Sequence, residues 1–351
     1  MMILVLNCGS QSIKWKLFDP SPLTKGEGFD SNLKVRKEGR VDVFEKRNYE
    51  KILLGELGKL EKYKKEIKKI GHRVVHGGER FKKPLVVTKN NLKSIEKLNR
   101  LAPLHNPFNV LGIKFSQSVF PDAKQIAVFD TEFFSALPEK AYTYPLPEKI
   151  RRKYKIKRFG FHGISHEYAA KQGAGIIGRD FNNLKIITCH LGGGASITAI
   201  DKGKAVDTSM GFTPLEGLVM MTRSGSIDPG IVLYLNSKMK NLDFVLNNES
   251  GVRGICGLSD MKDVLKAAKK GNKKAKLALD IFVYSIQKYI GAYFAILGGC
   301  DLLVFTGAIG AGSAKIVNMI CKPLPILKNT KVLSIKSNEE LAIAQKIRLV
   351  K

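Results

Sequence analysis

The sequence predicts an α/β protein in which one folding unit is used twice, and two observations carry that prediction. Short apolar, strand-like runs alternate with helix-patterned segments along the whole chain. And three times a strand runs into a turn of small residues. At the N-terminus, residues 3–19 (ILVLNCGSQSIKWKLFD) read as strand, a turn over Asn7-Cys8-Gly9-Ser10-Gln11-Ser12, and strand again. In the middle, the run 186–189 ends in His190-Leu191-Gly192-Gly193-Gly194-Ala195-Ser196 and returns over 197–200, closed by a turn signal at 201–204. Near the C-terminus, residues 301–305 (DLLVF) enter Thr306-Gly307-Ala308-Ile309-Gly310-Ala311-Gly312-Ser313. Glycines let backbone N–H groups approach a ligand and form an anion-binding nest. A glycine-rich bend without a ligand competes evenly with that reading for any one turn. Three of them favour a polyanion held between two copies of the unit.

The remaining elements follow in order. Residues 21–48 read as polar and irregular. Residues 50–69 carry apolar positions at helical spacing (Ile52, Leu53, Leu57, Leu60, Tyr63, Ile67), and 70–75 form a strand leading into His76-Gly77-Gly78-Glu79. Helices are expected over 91–101 and 109–120, separated by the rigid turn APLHNP. A strand over 125–129 stops at Asp130. Three prolines and a basic run make 138–157 an excursion between domains. Helices are expected over 168–177, from about 261, over 276–297 (long, mostly apolar and buried), from 313 and near 338, with a strand over 331–335.

Bulk properties narrow the function. At 351 residues, two domains are expected. No apolar run reaches membrane-spanning length, and the N-terminus enters a strand with no signal-peptide pattern, so no membrane association and a cytoplasmic location are expected. The five cysteines (Cys8, Cys189, Cys256, Cys300, Cys321) lack paired spacing and read as reduced, buried thiols, mostly in apolar, strand-like contexts. The net charge is +28, but only 13 of the 59 basic residues are arginine, and the lysines are scattered with little aromatic interleaving. That pattern fits solvated helix faces whose field draws in anionic substrates, rather than a nucleic-acid partner.

The six histidines all lie in or beside glycine- or proline-bearing segments rather than helix interiors. His72/His76 and His162/His166 have the spacing of a helical zinc motif, but neither pair has a Glu directly after its first His or sits on a clear helix, which argues against zinc. Only His162 and His190 are promoted to a role near an anion. Arg73 and Arg223 stand out because arginine is scarce, and a guanidinium fork suits a carboxylate or a phosphate; a structural ion pair is the competing reading and is less favoured for both together. Asp130 ends a strand, a favoured place for a metal-binding or catalytic carboxylate. Lys14, just past the first turn, either reaches a phosphate or faces solvent from an edge strand. Backbone cradles, two arginines, a histidine and a carboxylate for Mg²⁺ together point to phosphoryl transfer, which needs positioning and charge neutralisation above all.

The motifs NCGSQSIKWKLFD, GHRVVHGGE, APLHNP, FDTEF, RFGFHGISH, HLGGGAS, DTSMGFTPLEGL, TRSGSIDP, FTGAIG and SNEELAIA, in this order and nearly end to end, resemble the acetate kinase family of short-chain acyl kinases. The resemblance implies the duplicated actin-like ATPase (ribonuclease H-like) fold with a nucleotide cleft between domains. One domain would comprise residues 1–133 plus a returning helix at 340–351, the other residues 134–339. By resemblance, Arg73 and Arg223 clamp the carboxylate and the transferring phosphoryl group, and His162 stabilises the transition state. Asn7, Asp130 and Glu339 hold Mg²⁺, with Mn²⁺ as a substitute. Asn7, Ser10, Ser12, Lys14, His190, Gly192, Gly193, Gly194, Asp260, Met261, Lys262, Gly307, Ala308, Gly310 and Gly312 match the nucleotide-binding loops. Val75, Leu104, Phe161 and Pro214 match the pocket for the acyl methyl group. The implied reaction is in-line transfer between ATP and acetate, giving ADP and acetyl phosphate, in a homodimer.

The departures from the family pattern sit mainly on the nucleotide side. Gly193 replaces an Asn, Phe134 a His, Ser226 an Asp, Ala308 a Gly and Lys262 an Arg, while Arg73, Asp130, His162 and Arg223 are kept. The chain is also shorter than is typical, with an abbreviated stretch at 21–48. The acceptor chemistry is therefore read more firmly than the donor. Propionate or butyrate, and pyrophosphate in place of ATP, are the sibling readings; a non-catalytic nucleotide-binding relative is the reading from another class.

Overall fold

The computed structural model describes residues 2–20, 33–103 and 105–350. Its backbone contacts divide the chain into two compact units, Met1–Ser135 with Asn338–Lys351, and Ala136–Ser337.

The first unit is a six-stranded sheet in the order β3-β2-β1-β4-β6-β5. The strands are β1 (Met2–Cys8), β2 (Ser12–Pro20), β3 (Leu33–Asp42), β4 (Ile67–Val74), β5 (Leu85–Val86) and β6 (Lys124–Phe129). β1, β2 and β3 form an antiparallel meander, while β4 and β6 run parallel to β1. Every residue of β1 is buried, as expected of a central strand covered on both faces. α1 (Tyr49–Gly58) and α3 (Asn106–Val119) add Leu53, Leu57 and Ile113 to the buried core, and α2 (Lys89–Glu96) adds Ile95. The last helix in the chain, α14 (Glu339–Arg348), packs on β1 and β4. Gly71 permits that approach: a Cβ there would lie 2.7 Å from Ile343 Cγ2.

The second unit is a five-stranded sheet in the order β11-β10-β7-β8-β9. Its strands are β7 (Lys185–Leu191), β8 (Ala195–Asp201), β9 (Lys204–Thr208), β10 (Leu302–Thr306) and β11 (Lys331–Ser334). Again three strands form an antiparallel meander, and two more run parallel to its first strand. The pairing order of the first unit is thus repeated in the second, which is the duplication the sequence predicts. The helices are α4 (Glu139–Tyr142), α5 (Glu148–Tyr154), α6 (Gly163–Ile176), α7 (Pro229–Asn236), α8 (Leu242–Phe244), α9 (Gly251–Cys256), α10 (Met261–Lys269), α11 (Lys273–Leu297), α12 (Gly307–Gly310) and α13 (Ala314–Cys321).

Several expectations need correction. Residues 33–42, read as irregular, form β3; its charged, mostly exposed sequence LKVRKEGRVD hides an edge strand behind weak β-propensity. Residues 21–32 of the same stretch lie outside the described residues. The helix expected over 50–69 ends at Gly58, and its apolar rhythm continues through a 3₁₀ turn at Glu61–Tyr63 into β4, so Ile67 is a strand residue. The segment 138–157 is not an excursion. It carries α4 and α5, and the neighbouring Tyr144 donates to Glu216 within the second unit. β9 was hidden behind the turn signal at 201–204. α11 buries one face only, leaving Leu277, Tyr284 and Ile296 exposed. Lys14 lies on β2, which is flanked by β1 and β3 and is no edge strand. All five cysteines are free, but Cys256 and Cys321 are on helices rather than strands. No helix among the described residues is long and apolar enough to cross a membrane.

Candidate active site

In the first unit the site grows from the carboxyl ends of three parallel strands, where an open α/β sheet gathers its functional groups. Asn7 is near the end of β1, Arg73 near the end of β4, and Asp130 directly follows β6, its N–H bonded to the Val74 carbonyl. Arg73 donates from Nη2 to Asp130 Oδ2 at 2.7 Å and from Nη1 to Glu339 Oε2 at 2.7 Å. Asn7 Nδ2 donates to Glu339 Oε2 at 3.0 Å and to Glu340 Oε1 at 3.1 Å. Burial opposes the Arg73 charge, but Asp130 and Glu339 outweigh it and hold its pKa above the ordinary value. Asp130 is 1% exposed, a carboxylate buried against its counter-charge. The structural ion pair set aside for Arg73 in the sequence is therefore present. Glu340 was missed altogether; its signal was the acidic pair opening the last helix.

Glu339 and Glu340 are delivered by α14, whose other end is fixed by Lys69. The Lys69 ammonium donates to the carbonyls of Ile347, Arg348 and Val350 at 3.2, 2.9 and 2.7 Å, which satisfies the unpaired last turn of the helix. Ser10 and Ser12 are half-buried in the first turn, which the Gly9 N–H closes onto the Ser12 carbonyl. Lys14 is half-buried opposite Asn7 in the β1–β2 register. Val75 is buried, its N–H held by Asn109 Oδ1 at 3.0 Å. Leu104 lies outside the described residues.

In the second unit the β7–β8 hairpin and the start of α6 make a histidine-rich cluster. In the register His190 faces Ser196 and Thr188 faces Thr198. His162 precedes α6 in the left-handed region (φ 61°), a conformation uncommon for a side-chain-bearing residue. Its ring stacks on His190 with centroids 4.3 Å apart. Its Nδ1 lies 2.9 Å from Ser196 Oγ, and Ser165 Oγ lies 2.8 Å from His190 Nδ1. Contrary to the sequence reading, His166 is inside a helix, in the first turn of α6, and fully buried. Burial, with His190 nearby, depresses its pKa. Arg223 donates from Nη1 to the Pro214 carbonyl at 3.1 Å, and burial lowers its pKa.

The glycine bend links these groups. A Cβ on Gly194 would lie 3.4 Å from His162 Nε2 and 3.6 Å from Arg223 Nη1, so both nitrogens converge on one backbone position. Gly192 returns its N–H to the Gly194 carbonyl at 3.0 Å, and Gly193 is exposed at the tip. The loop after β10 adjoins the bend. Gly307 takes φ +81°, and a Cβ there would lie 2.5 Å from the Leu191 carbonyl oxygen, so only glycine fits. Ala308 is exposed, with its N–H group 4.0 Å from where a Gly192 Cβ would sit. Gly310 is buried, and Gly312 is exposed. Rather than an open loop, 307–310 form the short helix α12. Phe161 is buried and Pro214 half-buried. Met261 is buried, while Asp260 and Lys262 are exposed at the start of α10, where the Asp260 carboxylate caps the Lys262 N–H at 2.7 Å. No described bond of these two reaches the bend.

Known proteins agree with the reading from the motifs. The model of the acetokinase family matches residues 2–345. The chain is 47% identical to an acetate kinase of Desulforamulus reducens over 347 residues, covering 91% of this chain and 87% of that one. Among solved structures, the acetate kinase of Porphyromonas gingivalis superposes with a TM-score of 0.86 at 34% identity, covering 100% of both chains. A propionate kinase from Francisella tularensis superposes with a TM-score of 0.86 at 38% identity, covering 98% of both. The two units thus form the duplicated actin-like ATPase fold of these enzymes, and the chain belongs to the acetokinase family.

Proposed function

We propose that the protein catalyses reversible transfer of the γ-phosphoryl group between ATP and acetate, yielding ADP and acetyl phosphate. The observation that carries this reading is the convergence of His162 Nε2 and Arg223 Nη1 on Gly194, a donor and a cation around one point of backbone. Such a pair suits the equatorial oxygens of a phosphoryl group in flight. An acetate oxygen bonds to the γ-phosphorus as the bond to the ADP oxygen breaks, and the reverse reaction exchanges those roles. Arg73 and Arg223 neutralise the carboxylate and the phosphoryl group. Val75, Phe161, Pro214 and Leu104 shape the acyl pocket. Ser10, Ser12, Lys14, His190, the bend 192–194, residues 260–262 and the loop 307–312 bind the nucleotide.

The oxygen donors of Asp130, Glu339 and Asn7, gathered around one guanidinium, are the hard ligand set that suits Mg²⁺, and Mn²⁺ as well. When bound, such an ion neutralises phosphate charge. A homodimer is supported by α7, an apolar helix on which Ile231, Leu233 and Tyr234 are 48%, 76% and 66% exposed. The location we assign is the cytoplasm.

Trapping acyl phosphate as the hydroxamate tests the proposal. Purified protein with Mg²⁺ receives ATP or pyrophosphate against acetate, propionate or butyrate. Product from ATP and acetate is expected. One methylene changes binding in an apolar pocket by about 1–3 kcal/mol, so turnover of propionate at a lower rate is compatible. Product from pyrophosphate alone makes the altered donor loops a change of donor, and no product from any pair refutes the enzyme.

A further inference from the structure

Behind His162 runs a chain of three side chains, Ser196 on β8, His166 on α6 and Thr188 on β7. His162 Nδ1 is 2.9 Å from Ser196 Oγ, Ser196 Oγ is 2.7 Å from His166 Nε2, and His166 Nδ1 is 2.7 Å from Thr188 Oγ1. Thr188, Ser196 and His166 are each 0% exposed. Each hydroxyl carries one proton, and a neutral imidazole carries one N–H, so the chain has only two consistent directions. In one, His162 donates to Ser196, Ser196 to His166 and His166 to Thr188. Thr188 then keeps a buried O–H whose only described hydrogen-bond partner, His166, is already donating to it. In the other, Thr188 donates to His166, His166 to Ser196 and Ser196 to His162, and every proton in the chain has an acceptor. Buried donors without acceptors are strongly disfavoured, so the second direction holds. A neutral His166 is what this chain requires, and the desolvation that depresses its pKa favours that form.

We infer that Thr188, His166 and Ser196 are positioning residues that fix the tautomer of His162, presenting its Nε2–H beside Arg223 at Gly194. The charged and titratable groups around the His162 ring include the stacked His190, His166 beyond Ser196, and Arg223 across Gly194. A second positive charge on His162 next to the Arg223 guanidinium is disfavoured by repulsion, which agrees with a neutral donor. The inference deepens the proposed function, since a fixed N–H aimed at a phosphoryl oxygen has no reorganisation left to do during transfer. The tautomer itself does not depend on which reaction the site performs.

The test is ¹⁵N NMR of histidine-labelled full-length protein, with the His162 signals assigned by their loss in His162→Gln. The expected spectrum has a protonated, pyrrole-type Nε2 and a pyridine-type Nδ1. In Ser196→Ala the two forms mix, and turnover falls several-fold with the KM for acetate changed by less than twofold; Thr188→Ser keeps the original spectrum. A proton on Nδ1 in the unaltered protein, or a Ser196→Ala spectrum identical to it, overturns the inference even if the protein is an active kinase. The expected spectrum in a protein that forms no acyl phosphate overturns the proposed function and leaves the tautomer assignment standing.

Discussion

The two candidate arginines, one in each unit, are held in opposite ways. Arg73, in the first unit, is locked between the carboxylates of Asp130 and Glu339. Arg223, in the second, donates to the Pro214 backbone carbonyl. A buried cation between two carboxylates belongs to a network in which each member stabilises the charge of the next. A cation on a backbone dipole keeps more of its charge for an incoming anion. The comparison teaches that Arg73 does structural work in the first unit as well as any chemistry, whereas the role proposed for Arg223 is to meet an anion.

The sharpest way to separate them is substitution. Arg223→Ala is expected to lower kcat by roughly 10³-fold, the scale on which an arginine stabilises phosphoryl transfer, with a stability cost of about 1 kcal/mol from the hydrogen bond to the Pro214 carbonyl. Retained turnover would remove Arg223 from the site. Arg73→Ala should also abolish most activity, but it removes the guanidinium that Asp130 and Glu339 share and should cost about 3–5 kcal/mol in urea denaturation. Equal stability losses for the two variants would break the contrast.

Farther from the chemistry, His72 on β4 gives the first unit a pH dependence of its own. Burial lowers its pKa to about 4, against the raising effect of its hydrogen bond to Gln125 Oε1 at 2.8 Å. The unfolded chain binds a proton near the ordinary value of about 6.5, so folded stability is fully present above that pH. It declines as pH falls from there towards 4, by about 3 kcal/mol in all. His72→Gln should flatten Tm against pH across this window; an unchanged slope would assign the acid sensitivity to other groups. The smallest effect is expected at Lys69→Met, which leaves the last carbonyls of α14 without their cap. A loss of about 1 kcal/mol is expected, read as faster amide exchange at that helix end.

The sequence made the strand-to-turn edges legible because they combine apolar runs with small residues, a local signal. Asn7, Asp130, His190 and the bend 192–194 all lie on or beside such edges. β3 and β9 were not legible, since charged edge strands carry little periodicity of burial. The partners of the named residues were also hidden. Glu340 beside Asn7, Ser196 and Thr188 behind His162, and the Arg73 network depend on strand register and on the return of α14, contacts separated by up to 333 positions in the chain. His166 was visible as one of a spaced pair, but its role follows from the hairpin beneath it. No local pattern distinguishes a histidine that touches a substrate from one that orients its neighbour.

The most direct test of phosphoryl transfer at this site is ATP synthesis from acetyl phosphate and ADP, with Mg²⁺, by the purified protein. ATP and acetate are expected in equal amounts, and Arg223→Ala is expected to fold normally yet make almost none. Acetyl phosphate consumed without ATP, or ATP made equally well by Arg223→Ala, would contradict phosphoryl transfer at this site.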